Sequence, residues 1–165
     1  MTTLLKTRHA SLVLLNFTLL LLLWGCSPTA YVPNLNCMYF KTVSRIPVAE
    51  VKINGKRAFF IIDTGASCSI LNESVSEHFG FRYGIKRDDH VFGLAGTAQM
   101  HRAFNCSVEF GPLDLTHTTF RTKHMDDIVS LIKQHENIEI AGIIGSDVLN
   151  HYRVAIDFKR STISF

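Results

Sequence analysis

The chain has 165 residues, 47% of them hydrophobic, and a formal net charge of +3 at pH 7. This length predicts a single domain. Lys6 and Arg8, near the N-terminus, supply two of the three excess positive charges, and the near-neutral remainder argues against a nucleic-acid partner.

The N-terminal residues are predicted to be a targeting segment. Residues 1–25 combine a positively charged start with an apolar core at 11–24. This core is shorter than the ~20 residues that span a bilayer comfortably, which favours a signal peptide or signal anchor. The segment leads into Leu23-Trp24-Gly25-Cys26, which resembles a bacterial lipobox, whose cysteine is acylated. In the alternative, an uncleaved anchor, Cys26 is an incidental thiol. Both hypotheses attach the protein to a membrane by its N-terminus, with the domain in the periplasm or at the exterior.

The other cysteines do not predict a metal site. If Cys26 is lipidated, three remain, so at most one disulfide forms within a chain and its pairing stays open; the candidates are Cys37, Cys68 and Cys106. The sequence has no Cys-x-x-Cys, and its eight histidines include no His-Glu-x-x-His, which are spacings of common zinc sites. No metal and no cofactor are expected.

The folded domain is predicted to begin near residue 45. Residues 27–44 contain prolines and asparagines with little periodicity, so they are interpreted as a linker, and residues 45–165 as the domain. Residues 46–53 alternate in part between apolar and polar, which favours a strand. The next pair, Asn54-Gly55, is a strong hairpin signal because both residues tolerate positive φ, so residues 56–62 are predicted to be the return strand.

Short elements separated by turn residues follow. Asn72 is predicted to cap a brief helix that stops at Gly80, and residues 125–136 have the periodicity of an amphipathic helix. Strands are expected at 100–110, 113–123 and 138–145, a short helix from Ser146, and a closing hairpin at 154–158 and 161–165. Many short strands with few helices predict a mostly-β, barrel-like domain.

One polar loop interrupts this apolar pattern. The strand residues Phe59 to Ile62 lead directly into Asp63-Thr64-Gly65-Ala66-Ser67. A carboxylate at the end of a buried strand indicates a functional group, and glycine permits a sharp turn there. The chain has a single Asp-Thr-Gly and no Asp-Ser-Gly.

Three segments, in this order, resemble the single-domain retropepsin-like aspartic proteases, in particular bacterial membrane-anchored members. They are the catalytic loop Asp63-Thr64-Gly65-Ala66-Ser67, a glycine-bearing flap at Gly93-Leu94-Ala95-Gly96, and Ile143-Ile144-Gly145, which precedes the family's only regular helix. The resemblance covers about residues 45–165. It implies a closed β-barrel of the acid protease fold, one lobe per chain, with the helix near 125–136 as an addition.

The resemblance also implies a mechanism and a partner. Two carboxylates are required, so Asp63 of each protomer in a homodimer would contribute one, and the pair would share one proton. Thr64 would bond across the dimer axis, Gly65 would allow the tight turn, and the Ser67 hydroxyl would orient the carboxylate. The expected activity is that of an endopeptidase acting on peptides or proteins without a cofactor.

Some expectations stay open. Ser146 stands where viral members usually have an arginine, so the ion pair of that arginine is not expected here. Residues 161–165 could interleave in a dimer sheet or form an ordinary closing strand. Asp147 and Asp157 are interpreted as structural. The alternative function is a non-catalytic peptide-binding or assembly module of the cell envelope.

Overall fold

The computed structural model describes residues 36–84, 89–93 and 96–165, and these residues are mainly in strands. The strands are β1 (Cys37–Val43), β2 (Ile46–Ile53), β3 (Lys56–Ile62), β4 (Ile70–Asn72), β5 (Arg82–Tyr83), β6 (Asp89–Gly93), β7 (Gly96–Phe104), β8 (Val108–Phe110), β9 (Leu113–Asp114), β10 (Arg121–Lys123), β11 (Ile140–Ile144), β12 (Ala155–Asp157) and β13 (Thr162–Ser164). The helices are a 3₁₀ turn (Glu73–Val75), α1 (Ser76–Phe79), α2 (Asp126–Glu136) and α3 (Ser146–His151).

The hairpin of β2 and β3 is built as its sequence predicts. Asn54 and Gly55 connect the strands with φ of 49° and 77°, the left-handed geometry that a two-residue hairpin turn requires. All residues of β3 after Arg57 are buried except Phe59, which is half-buried. Phe60 and Ile62 pack in one apolar cluster, and Ile61, on the opposite face, packs in a second. A strand covered on both faces is held firmly, so β3 fixes the position of the residues that follow it.

The strands pair in the order β12-β13-β1-β2-β3-β11-β4-β10-β7-β5. The pairs β3–β11 and β4–β10 are parallel. Along this order, β12 and β5 each pair with one described neighbour, so the sheet is open. The prediction of a closed barrel is therefore wrong.

The linker predicted at residues 27–44 is wrong in its second part, which forms strand β1. Residues 37–43, which the sequence assigns to the 27–44 linker, pair with both β2 and β13. Phe40 and Val43 are buried, whereas Lys41 and Thr42 between them are exposed, so the strand lacks the alternation that would reveal it in the sequence. Residues 1–35, including the predicted leader and Cys26, lie outside the described residues. Within the part that is described, no helix is long and apolar enough to cross a membrane.

Several local predictions are confirmed. The Asn72 side chain accepts a hydrogen bond from the Ser74 N–H at the start of the 3₁₀ turn, and Gly80 ends α1 in the left-handed conformation. Helix α2 lies within one residue of its predicted bounds, and its Val129 and Ile132 pack in the second apolar cluster.

The two long strands predicted at 100–110 and 113–123 are instead broken into shorter ones. Strand β7 ends at Phe104 and β8 begins at Val108, because Asn105 adopts a left-handed φ of 53°, which interrupts an extended chain. Strand β9 covers only Leu113–Asp114, and β10 does not begin until Arg121.

The closing strand β13 is paired on both sides within its own chain. It lies between β1 and β12, and its Ser164 pairs with Cys37 of β1 on one side and with Ala155 of β12 on the other. The structure therefore uses residues 162–164 as an ordinary closing strand of the subunit.

Candidate active site

Asp63 lies where the central strand leaves the sheet. Ile62 is the last residue of β3 and pairs with Ile144 of the parallel strand β11. The Asp63 N–H donates a hydrogen bond of 3.0 Å to the Ile144 carbonyl, which continues the ladder by one residue. The two predicted segments, residues 63–67 and 143–145, thus lie side by side although residues 68–142 separate them in the sequence.

Backbone hydrogen bonds hold the turn after Asp63. The Ala66 N–H donates to the Asp63 carbonyl at 3.2 Å, and the Gly65 N–H donates to the Asp63 Oδ1 atom at 2.8 Å. Asp63 is half-buried, whereas Thr64, Gly65 and Ser67 are exposed. One carboxylate oxygen is thereby oriented by the loop itself, and the loop presents its residues to solvent.

Glycine at position 145 is required by close packing. A Cβ there would lie 2.6 Å from the carbonyl oxygen of Cys68 and 3.0 Å from that of Ala66, distances that real Cβ contacts avoid. The next residue, Ser146, donates its N–H to the Ala66 carbonyl at 2.8 Å. The Ile-Ile-Gly segment therefore supports the Asp63 loop by direct backbone contact, with Ser146 opening α3.

A buried network, which the sequence motifs do not include, connects this loop with α3. The Asp147 carboxylate accepts hydrogen bonds from the Ser69 N–H at 2.9 Å, the Ser69 hydroxyl at 2.7 Å and the Val148 N–H at 2.8 Å. The fully buried Ser69 hydroxyl in turn accepts from the Gly145 N–H at 3.0 Å. Asp147 is thus structural, as predicted, and its specific task is to fix the chain just after the Asp63 loop.

The sequence positions of Ser69 and Asp147 hint at this network, but they also fit a simpler interpretation. Ser69 precedes an apolar strand, and Asp147 is the second residue of a short helix, positions where polar residues usually act as local caps. Only the fold shows that the two side chains meet across 78 residues of sequence.

Other predicted site residues are placed only in part. Gly93 and Gly96 pair at the end of the hairpin of β6 and β7, while Leu94 and Ala95 of the predicted flap lie outside the described residues. The Thr64 bond across a dimer axis and the Ser67 bond to Asp63 remain predictions.

Three cysteines lie within the described residues, and each of them is half-buried. Cys37 and Cys106 are free thiols, and burial raises the pKa of Cys106 above its ordinary value. In residues 36–84, 89–93 and 96–165, no group of three or more His, Cys, Asp or Glu side chains is arranged to hold a metal ion.

Some solved structures are similar to this chain in fold. No curated protein matches the sequence. Among solved structures, the EIAV protease complexed with the inhibitor HBY-793 is 16% identical, with a TM-score of 0.50 over 72% of this chain and 98% of that chain. A retropepsin-like aspartic protease from Rickettsia conorii is 14% identical (TM-score 0.49, 77% and 87% covered). The retroviral protease-like domain of Ddi1 from Leishmania major is 16% identical (TM-score 0.43, 72% and 86% covered).

The likeness to the EIAV protease shows the same fold at low identity. A sequence model of the family described as "gag-polyprotein putative aspartyl protease" matches residues 49–151, more than half of the chain, and this range contains the Asp63 loop as well as Ile143-Ile144-Gly145. The chain therefore belongs to the retropepsin-like family of aspartic proteases.

Proposed function

We propose that the protein is an aspartic endopeptidase, which hydrolyses peptide bonds with a water molecule activated by two Asp63 carboxylates, one from each protomer of a homodimer. The observation that carries this proposal is the presentation of Asp63. It follows the central strand, its Oδ1 atom accepts the Gly65 N–H at 2.8 Å, and the residues after it are exposed.

The chemistry requires a pair of carboxyl groups sharing one proton, because two carboxylates about 3 Å apart do not both ionise. The ionised member takes a proton from water as the water oxygen attacks the scissile carbonyl carbon. The protonated member gives its proton to the carbonyl oxygen. As the tetrahedral intermediate collapses, the carboxyl that took the water proton gives it to the amine nitrogen and the C–N bond breaks. One hydroxyl of the intermediate returns its proton to the other carboxylate, which restores the pair with one shared proton.

A twofold dimer supplies the second carboxylate that the single Asp-Thr-Gly lacks. In such a dimer the same surface of both subunits meets itself, so the exposed Thr64 and Gly65 would lie beside the axis. Strand β13 is already paired on both sides. We therefore expect the interface to form around the Asp63 loops without exchange of terminal strands.

The membrane attachment is part of the same proposal. The leader composition and the Leu23-Trp24-Gly25-Cys26 sequence support an N-terminal anchor, with the domain outside the cytoplasm and Cys26 as the lipidation site. Fractionation of cells that express the full chain, with and without Cys26→Ser, tests this directly. In the membrane fraction, an acylated Cys26 at the N-terminus of the wild type that is absent from Cys26→Ser supports lipidation; an intact leader that precedes an unmodified Cys26 supports an uncleaved anchor.

The decisive test of the activity is Asp63→Asn in the full chain. The wild type is incubated with a mixture of unfolded proteins, and new peptide termini are identified by mass spectrometry over a range of acid to neutral pH. Asp63→Asn should abolish cleavage while leaving the size of the particle in solution unchanged. The matched control is Asp114→Asn, because Asp114 is an exposed carboxylate whose contacts are local, to Thr116.

Three results would contradict the proposal. They are cleavage by Asp63→Asn, cleavage by a wild-type particle that stays monomeric during turnover, and no cleavage by a wild-type dimer that nevertheless binds unfolded peptides. The third result would establish the alternative, a non-catalytic peptide-binding module. An aspartic protease inhibitor that mimics the transition state should shift the wild-type particle towards the dimer.

A further inference from the structure

Four cationic side chains lie on one face of the outer strands β5, β7 and β10. Arg102 of β7 stands directly opposite Arg121 of β10, and Arg82 of β5 stands opposite Phe104 of β7. Residues two positions apart on a strand share a face, so Phe104 lies beside Arg102, and Lys123 lies beside Arg121. Arg82, Arg102, Arg121 and Lys123 together are called the cationic patch below.

The patch is a charged surface that the fold itself does not need. Like charges directly opposite each other on neighbouring strands are destabilising, and Arg102 faces Arg121 in this way. Arg82, Arg102 and Lys123 are exposed. In the described part of the chain, no hydrogen bond or ion pair involves these three side chains. Arg121 is half-buried and also interacts with other groups, so the argument rests on the other three.

The buried carboxylate of Glu73 lies on the other side of these strands. Its Oε1 atom is 2.8 Å from the His101 Nδ1 atom, and the side chain of His101 points away from the patch because His101 directly precedes Arg102. Thr122, which alternates with the patch residues of β10, donates its hydroxyl to the same oxygen at 2.8 Å. Glu73 therefore compensates groups on one face of the strands and leaves the cations on the other face exposed.

The chemistry of the patch suits carboxylates. Guanidinium groups hold a planar carboxylate with two parallel hydrogen bonds. The ring of Phe104, which is 48% exposed, lies next to Arg82 and Arg102 and offers an apolar contact for the stem of an acidic side chain. A nucleic acid or a membrane surface would call for a more extended basic surface, which the near-neutral composition of the chain does not favour.

The patch lies in line with the Asp63 loop. A row of paired residues crosses the sheet from the strand before Asp63 to the patch: Ile61, Ile143, Ile70, Arg121 and Arg102. The three isoleucines of this row pack in the second apolar cluster, as expected if they share one face. Asp63 follows Ile61 by two residues, and its N–H continues the ladder. The cationic patch and the Asp63 loop therefore lie along the same face of the sheet.

The distance along this row corresponds to a short stretch of peptide. Strands β11, β4 and β10 separate β3 from β7, and at about 4.8 Å per strand Arg121 and Arg102 lie about 14–19 Å from Ile61. An extended peptide advances about 3.3 Å per residue, so about four to six residues cover this distance.

We propose that the cationic patch binds acidic side chains of the peptide substrate about four to six residues from the scissile bond. This inference rests on the proposed function, because it assigns a substrate class to the same active site. In a twofold dimer each subunit carries one patch, so the preference for acidic residues applies on both sides of the scissile bond.

Binding is tested in the full chain with Asp63→Asn, so that cleavage does not interfere. The probes are fluorescein-labelled hexaglutamate and hexaglutamine, whose dissociation constants are measured by fluorescence anisotropy at low ionic strength. Hexaglutamate should bind about tenfold more tightly. The patch variant, Arg102→Gln with Lys123→Gln, should weaken hexaglutamate binding about tenfold, because each exposed ion pair contributes about two- to fivefold. The matched control, Arg153→Gln with Lys159→Gln, removes two exposed cations that flank β12 and should weaken it less than about twofold.

Four results would overturn the proposal. They are equal binding of the two peptides, unchanged hexaglutamate binding by the patch variant, an equal loss in the patch variant and the control, and tighter binding of a single-stranded oligonucleotide than of hexaglutamate that the patch variant loses. The third result would show that net charge alone attracts the peptide, and the fourth would assign the patch to nucleic acid.

Urea unfolding separates a binding role from a structural one. Removing one of two opposed arginines relieves their repulsion, so the patch variant should be at least as stable as its parent. If the patch variant does not fold, Lys123→Gln and Lys159→Gln alone give the same comparison. A loss of hexaglutamate binding of about two- to fivefold is then expected only in Lys123→Gln, and equal binding by the two variants would refute the proposal.

Cleavage sites give a separate readout. Where the wild type cleaves unfolded proteins, Asp and Glu should be enriched about four to six residues from the new termini. The patch variant, with Asp63 restored, should still cleave but lose this enrichment, and the control should keep it. If the wild type cleaves nothing, the proposed function fails, and the hexaglutamate measurements still decide whether the patch binds acidic peptides. If the wild type cleaves without this enrichment, or the patch variant keeps it, the role of the patch in substrate choice is refuted.

Discussion

Replacing Asp147 with alanine tests the network that supports the Asp63 loop. The change removes the acceptor of three hydrogen bonds, two of them from Ser69. Ser69 is fully buried, so water does not replace its partners, and each buried donor without a partner costs about 1–3 kcal/mol. Val148 is also buried, but its bond to the half-buried Asp147 is only part-buried, so the main cost comes from the two Ser69 donors. We therefore expect Asp147→Ala to lower the free energy of unfolding by about 3 kcal/mol.

Asp147→Asn is a milder change at the same position. An amide keeps one oxygen, which can still accept from the Ser69 hydroxyl and the Val148 N–H, but its NH₂ group would face the Ser69 N–H. One buried bond is lost and not two, so the expected cost is about half as large, on the order of 1–2 kcal/mol. Urea unfolding at pH 7, followed by far-ultraviolet circular dichroism, measures both variants.

The network also predicts a coupling. Ser69→Ala removes the hydroxyl that joins Asp147 to the Gly145 N–H, so the double variant should be less damaged than the sum of the single variants, by about 0.5–3 kcal/mol. If Asp147→Ala costs less than about 1 kcal/mol, or if the two changes are additive, Asp147 does not hold this loop and the reasoning is refuted.

Two further predictions concern residues near the same loop and a second, distant site. Gly145→Ala should destabilise the protein by about 1–3 kcal/mol in the same urea assay, because its Cβ would lie 2.6 Å from the Cys68 carbonyl oxygen. Gly55→Ala is the control for backbone strain, because Gly55 has a positive φ but open space around the position of a Cβ. Equal losses of stability in the two variants would contradict the crowding argument. Burial raises the pKa of Cys106. Near pH 8, iodoacetamide should therefore alkylate this thiol more slowly in the folded chain than in urea, and the rate in the folded chain should rise only at more alkaline pH. Peptide mass spectrometry measures the alkylation. Equal rates at pH 8 would show that this thiol is accessible and unshifted.

Predictions from sequence are reliable here where the signal is local. The Asn54-Gly55 turn, the Asn72 cap and the helix at 126–136 each depend on residues within a few positions of one another. The order of Asp63-Thr64-Gly65 and Ile143-Ile144-Gly145 identified the family, because the chemistry of that fold restricts which residues can stand there.

The remaining features depend on tertiary contacts. Strand β1 exists because β2 and β13 both offer it hydrogen-bonding partners, and its own pattern of exposed and buried residues does not alternate. The contacts of Ser69 with Asp147 and of Glu73 with His101 span 78 and 28 residues. Neither pair is adjacent in any motif, so only the folded chain shows that these side chains meet.

The pairing of β13 within its own chain has a consequence for how the proposed enzyme is switched on. Because β13 is paired within its own chain, a subunit would have no exchanged strand to release there when the proposed dimer separates, so assembly would be a reversible encounter between folded domains. At low abundance the amount of active enzyme would then rise with the square of the concentration of the chain. If the chain is anchored as proposed, crowding in the membrane would thus set the onset of proteolysis.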